Sequence, residues 1–212
     1  KAYTATGTAL TLSENTASTD VMYCIFLGRA IQSTVPNTNS ITPAMLGTTA
    51  VTTLTAGTGI TAGTGTVYRA DVQKLGNIFH TRILIDLTGL ASSGSGDIIG
   101  KAATANSHIG QITAAINGTV LSGKITCMEA PAGGDPDINL WYADEATGTE
   151  DAAITGLTNQ VQMCDSGDLA LGSVISIPTP PAADKYMYMV TGAATDANYT
   201  AGKILIEFFG YV

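Results

Sequence analysis

Three runs of this chain are apolar on both sides of an extended backbone: Arg82-Ile-Leu-Ile-Asp-Leu87, Tyr186-Met-Tyr-Met-Val190 and Lys203-Ile-Leu-Ile-Glu-Phe-Phe209. Successive side chains of a strand point to opposite faces, so a sheet with one wet face carries a polar residue at every second position. Here the second face holds Leu84, Met187, Met189, Leu205 and Phe209. Something must cover it, most simply another copy of the protein or a partner surface. A shortage of charge points the same way. Asp, Glu, Lys and Arg make up 12% of the 212 residues, about half the share usual in soluble domains.

The rest of the chain divides by texture. Residues 1 to about 70 are rich in Thr, Ala, Gly and Asn and have little with which to build a core of their own. They read as an extended N-terminal arm, with Val21 to Leu27 as one strand that docks on the main sheet. From Asp71 to the C-terminus the pattern is β. Strands are expected at Phe79–Leu87, Asp97–Ile99, Gly110–Ile116, Thr119–Glu129, Asp137–Ala143, Gly172–Ile177, Tyr186–Thr191 and Lys203–Tyr211. Gly, Pro, Ser and Asp segments separate them, and Asn117-Gly118 signals a tight hairpin because both residues tolerate φ > 0. Helical signals are confined to Thr42–Leu46 and Glu150–Leu157, too short to organise a fold. The expected class is all-β, an antiparallel β-sandwich of jelly-roll-like form over residues 71–212, with residues 1–70 as the arm.

Charge and cysteine content narrow the function classes. A net charge of −8 with nine cations argues against a nucleic-acid partner, which needs clustered Lys and Arg. No run reaches the roughly 20 apolar residues of a membrane-crossing helix. No basic segment followed by an apolar run and a cleavage site suggests secretion. Cys24, Cys127 and Cys164 have no metal-ligand spacing and read as buried free thiols, in keeping with folding in a reducing compartment.

Tests for chemistry return little. His80 and His108 are the only histidines and neither has a recognisable nucleophile beside it. Gly57-Thr-Gly-Ile-Thr-Ala-Gly63 misses the dinucleotide-binding spacing by one residue. Asp135 and Asp137, in Gly133-Gly-Asp-Pro-Asp137, are weak candidates for a shared Ca²⁺, set against a plain reading as turn residues. Trp141 falls by alternation on the face of Asp137 and Asn139. It stands open between a second-layer core position, an interface anchor and a sugar-stacking platform. Neither a catalytic residue nor a cofactor is expected.

Arg82-Ile-Leu-Ile-Asp-Leu-Thr-Gly-Leu90, Asp97-Ile-Ile-Gly100, Ile109 to Thr119, Glu129 to Asp137 and Tyr199 to Tyr211 together resemble small structural proteins encoded near the capsid genes of tailed bacteriophages. The resemblance implies a virion protein on the outer capsid surface, made in the host cytoplasm, that decorates and cements the head shell. Its implied partners are itself, as a homotrimer, and the major capsid protein. The interface residues expected on that reading are Leu84, Met187, Met189, Leu205 and Phe209, with Trp141 as an anchor. Two other readings stand beside it: a receptor- or glycan-binding module, such as a fibre head or adhesin domain, and a jelly-roll shell or appendage subunit.

Overall fold

The structure, a computed structural model, describes residues 3–7, 9–19, 21, 62–66 and 68–212. The chain forms two compact units, Lys1–Met45 and Leu46–Val212. In the first, β1 (Tyr3–Thr6) and β2 (Ala9–Leu12) pair as an antiparallel hairpin whose side chains are almost all exposed. Of the expected docking strand only Val21 belongs to the described residues, and it is exposed. Cys24, the remainder of that strand and the Thr42–Leu46 turn lie outside them.

The second unit is all-β, built from antiparallel sheets. Five strands, β3 (Tyr68–Leu75), β4 (Ile78–Asp86), β7 (Thr119–Ala132), β10 (Val174–Ser176) and β13 (Ala201–Tyr211), pair in the order β10-β7-β13-β4-β3. Four more, β6 (Gly110–Gln111), β8 (Ile138–Ala143), β9 (Val161–Cys164) and β11 (Tyr186–Thr191), pair in the order β6-β11-β8-β9. A two-stranded ribbon joins β5 (Ala91–Ser92) to β12 (Ala197–Asn198).

Strict alternation builds the sandwich. Along β4, Phe79, Thr81, Ile83 and Ile85 are buried, while Ile78, His80, Arg82, Leu84 and Asp86 face outward. Along β13, Ile204, Ile206 and Phe208 point inward in register with Ile85, Ile83 and Thr81. Ile83, Ile85, Ile204, Ile206 and Phe208 share one core with Ile138, Leu140, Met163, Met187 and Met189 of the smaller sheet. At about 1.5–3 kcal/mol for each fully buried aliphatic or aromatic side chain, this shared core is the main favourable term in folding. Cys127 and Cys164 are buried free thiols within it, one from each sheet.

Three sequence expectations change. Gly110–Ile116 is not one strand: after Gln111, Thr113 caps a helical turn, α1 (Ala114–Asn117), by accepting a hydrogen bond from Ile116 N. Asn117-Gly118 is therefore no two-residue hairpin. The Asn117 side chain accepts from Thr113 N and donates to Thr81 Oγ1, which fixes the helical turn, and Gly118 ends it at φ 65°. Asp97–Ile99 forms only isolated bridges, to Ala153 and to Val190 of β11.

Met187 and Met189 are a further correction. Both are fully buried in the shared core and offer nothing to a partner. The strand is apolar on both faces because this chain covers both. The opposite face of β11, Tyr188 and Val190, lies in a second cluster with Ile98, Ala143 and Ile154, contributed in part by the 96–100 and 144–157 segments. Gly148 passes so close to Tyr188 that a Cβ there would stand 2.6 Å from the ring.

Candidate functional site

The outer face of the five-stranded sheet is organised in transverse rows. One row is charged: Asp71, Arg82, Glu207 and Lys124 lie on neighbouring strands in direct register. Arg82 donates two hydrogen bonds to Asp71. Glu207, nearly buried, pairs with Lys124 Nζ at 3.0 Å and with His80 Nε2 at 2.9 Å, and the His80 ring stacks on Phe209. Burial pushes the Glu207 carboxyl up, but the bonds from Lys124 and His80 outweigh it and hold the group below its ordinary value. Lys203 pairs with Glu129 further along the sheet. Most charges on this face already have partners.

Between and beyond the charged rows the face is apolar. Leu84 and Leu205 are partners in register, and with Met128, Arg69, Ala70 and the Asp71–Arg82 pair they line a shallow depression of about 370 Å³. At the far end Leu75, Ile78 and Tyr211 form one row, next to Phe209. Leu75 is 77% exposed, Ile78 51% and Tyr211 52%. Every exposed large apolar side chain described in the second unit lies on this sheet or at its margins, including Leu121, Val174, Leu171, Ile116 and Val212.

Charge is segregated oppositely. The five-stranded sheet carries Arg69, Lys74, Arg82, Lys124 and Lys203 against Asp71, Asp86, Glu129 and Glu207. The described remainder of the second unit holds only Lys101 and Lys185 against eleven carboxylates. One surface is near-neutral and apolar; the other is strongly acidic.

The residues singled out from sequence now separate. Leu84, Leu205 and Phe209 lie on the outer sheet face as expected. Trp141 is half-buried, opposite Tyr188 in register, and packs on the second cluster with Tyr186 and Leu157. Its Nε1 is shielded and unpartnered. His108 is buried edge-on against Tyr186 and Tyr188, and desolvation lowers its pKa. Asp135 is completely buried in the β7–β8 turn, with Asp137 half-buried beside it. Leu75, Ile78 and Tyr211 were not anticipated as a group, because no strand was expected between Asp71 and Ile78. The Leu75-Gly-Asn-Ile78 turn between two alternating segments was the available signal.

Among the described residues no three His, Cys, Asp or Glu side chains converge into a metal cage, and no helix is long and apolar enough to cross a membrane. No protein-family model matches the chain, and no curated protein or solved structure matches it either.

Proposed function

We propose that this chain is a virion structural protein, a decoration subunit that fastens onto an assembled head shell through the outer face of its five-stranded sheet. The observation that carries the reading is the segregation just described. The exposed large apolar side chains described in the second unit gather on one near-neutral sheet or at its margins, while most of the carboxylates lie elsewhere. Five strands about 4.8 Å apart and averaging about nine residues span roughly 700 Å², close to the roughly 800 Å² per partner of a standard interface. Most charges on the face are paired within it, Arg82 with Asp71, Lys124 with Glu207 and Lys203 with Glu129, so covering it avoids the larger cost of burying those ions without a partner. The acidic surface then faces solvent and favours solubility. The chain also assembles with itself, most simply as a closed trimer.

A subunit that binds only the assembled lattice stabilises it by mass action. Undecorated heads of a tailed phage, mixed with the protein and sedimented, should carry it down and melt at a higher temperature. Failure to co-sediment at micromolar concentration, with the chain folded, overturns the reading.

A further inference from the structure

The β7–β8 turn holds two carboxylate oxygens sealed from water with nothing bonded to them, Asp135 Oδ2 and Asp137 Oδ1. Asp135 is 0% exposed. Its backbone is fully engaged: its N–H donates to Ser92 Oγ, and its carbonyl accepts from the buried Tyr199 hydroxyl at 2.6 Å. Its Oδ1 accepts from Asp137 N at 3.0 Å, which turns the side chain back toward Asp137 and leaves Oδ2 without a partner. Asp137 is fastened in turn by a bridge to Asp168, and its carbonyl accepts from Gly192 N.

The surroundings repel negative charge. Asp165 and Asp168 act on Asp137 alongside Asp135, and Tyr199 is a further titratable neighbour; among the described residues no Lys, Arg or His forms an ion pair with these carboxylates. Desolvation and these like charges together push the Asp137 carboxyl up from its ordinary value. Gly192 contributes space. A Cβ at that position would stand 2.2–2.3 Å from the Asp137 carboxylate, so only glycine permits the approach. A buried carboxylate left without a bond costs several kcal/mol, and this corner holds two such oxygens.

We propose that the Asp135–Asp137 corner binds one Ca²⁺ ion, with both orphaned carboxylate oxygens as ligands and Asp165 and Asp168 supplying outer charge. Calcium suits the donors. It accepts six to eight oxygens in irregular geometry and takes carbonyls and waters to complete a set begun by two carboxylates. Mg²⁺ demands a near-ideal octahedron and gives up its water reluctantly. The ion neutralises the turn that joins the two sheets, and so ties calcium to the stability of the sandwich. This inference does not depend on the decoration reading.

Calorimetric titration of the chelator-treated full chain with CaCl₂ should show one saturable site. At a hundredfold excess over Kd, Tm should rise by roughly 5–10 °C. Asp137→Asn should abolish the heat and the rise, Asp168→Asn should weaken affinity, and Asp196→Asn on an exposed loop should change neither. Should Asp137→Asn not fold, the wild-type titration and Asp168→Asn still decide. Absence of saturable heat, or equal stabilisation by Mg²⁺ and Ca²⁺, overturns the proposal. So does an Asp137→Asn variant that responds to calcium like wild type. Failure here leaves shell binding untouched, and calcium binding in a protein that ignores shells leaves this site standing.

Discussion

Glu207→Gln is the perturbation that tests the outer sheet face most closely. The Glu207 side chain is 11% exposed and holds together Lys124, 42% exposed, and His80, 27% exposed. An exposed pair contributes about 0–1 kcal/mol, and losing one partner of a fully buried pair costs about 3–5 kcal/mol. A nearly buried carboxylate with half-exposed partners falls between, at about 2 kcal/mol, in line with about 1.5–3 kcal/mol for a hydrogen bond to a charged group. For a chain of this size that lowers Tm by roughly 4–8 °C at pH 7. The pH dependence has a definite sign. The folded-state pKa of Glu207 lies below the ordinary 4.5, so its contribution is complete above that value and disappears as pH falls through the folded pKa. Thermal melts of wild type and variant from pH 7 down to pH 3 should therefore converge at the acid end. Equal Tm at pH 7, or a gap that persists unchanged into acid, refutes the account of the charged row.

Met187→Ala should cost about 2–5 kcal/mol by urea unfolding, as a cavity in the shared core, whereas Leu205→Ala on the half-exposed outer face should cost about 1 kcal/mol. Tyr188→Phe removes a hydroxyl that donates to the Glu145 carbonyl and accepts from Gly148 N, so it should cost about 1–3 kcal/mol in the same assay. In the wild type, burial raises that phenol to about 12, which absorbance titration will read. Asp137→Asn in calcium-free buffer should raise Tm at pH 7. The Asp137 pKa is raised above the ordinary 3.8, so the native form favours the protonated acid; stability from this group is complete below 3.8 and is lost as pH rises through the folded value.

The alternation of β4 and β13 was legible in the sequence because period-2 burial depends only on the residues of one strand. The all-β class followed from the same patterns. What stayed hidden depended on long-range neighbours. Met187 and Met189 could not be told from a solvent-facing pair, since both faces of β11 are covered by distant residues, the Met face by the opposing sheet and the Tyr188 face by residues some 30 to 90 positions earlier. Asn117-Gly118 carried a true hairpin signal that lost to the Thr113 cap and to a side-chain bond with Thr81, 36 positions away. Leu84, Leu205 and Phe209 were placed on the outer face by alternation. The cluster at the sheet's end was missed because Arg69, Asp71, Gln73 and Lys74 make Tyr68–Leu75 too polar to stand out as a strand beside Phe79–Leu87.

Hydrogen–deuterium exchange of the chain, free and bound to a head shell, tests most directly whether the five-stranded sheet is the contact. New protection is predicted in Tyr68–Asp86 and Ala201–Tyr211, centred on Leu75, Ile78 and Tyr211, with the acidic 144–160 segment unchanged. Protection in that acidic segment, with the sheet unaltered, would contradict the account.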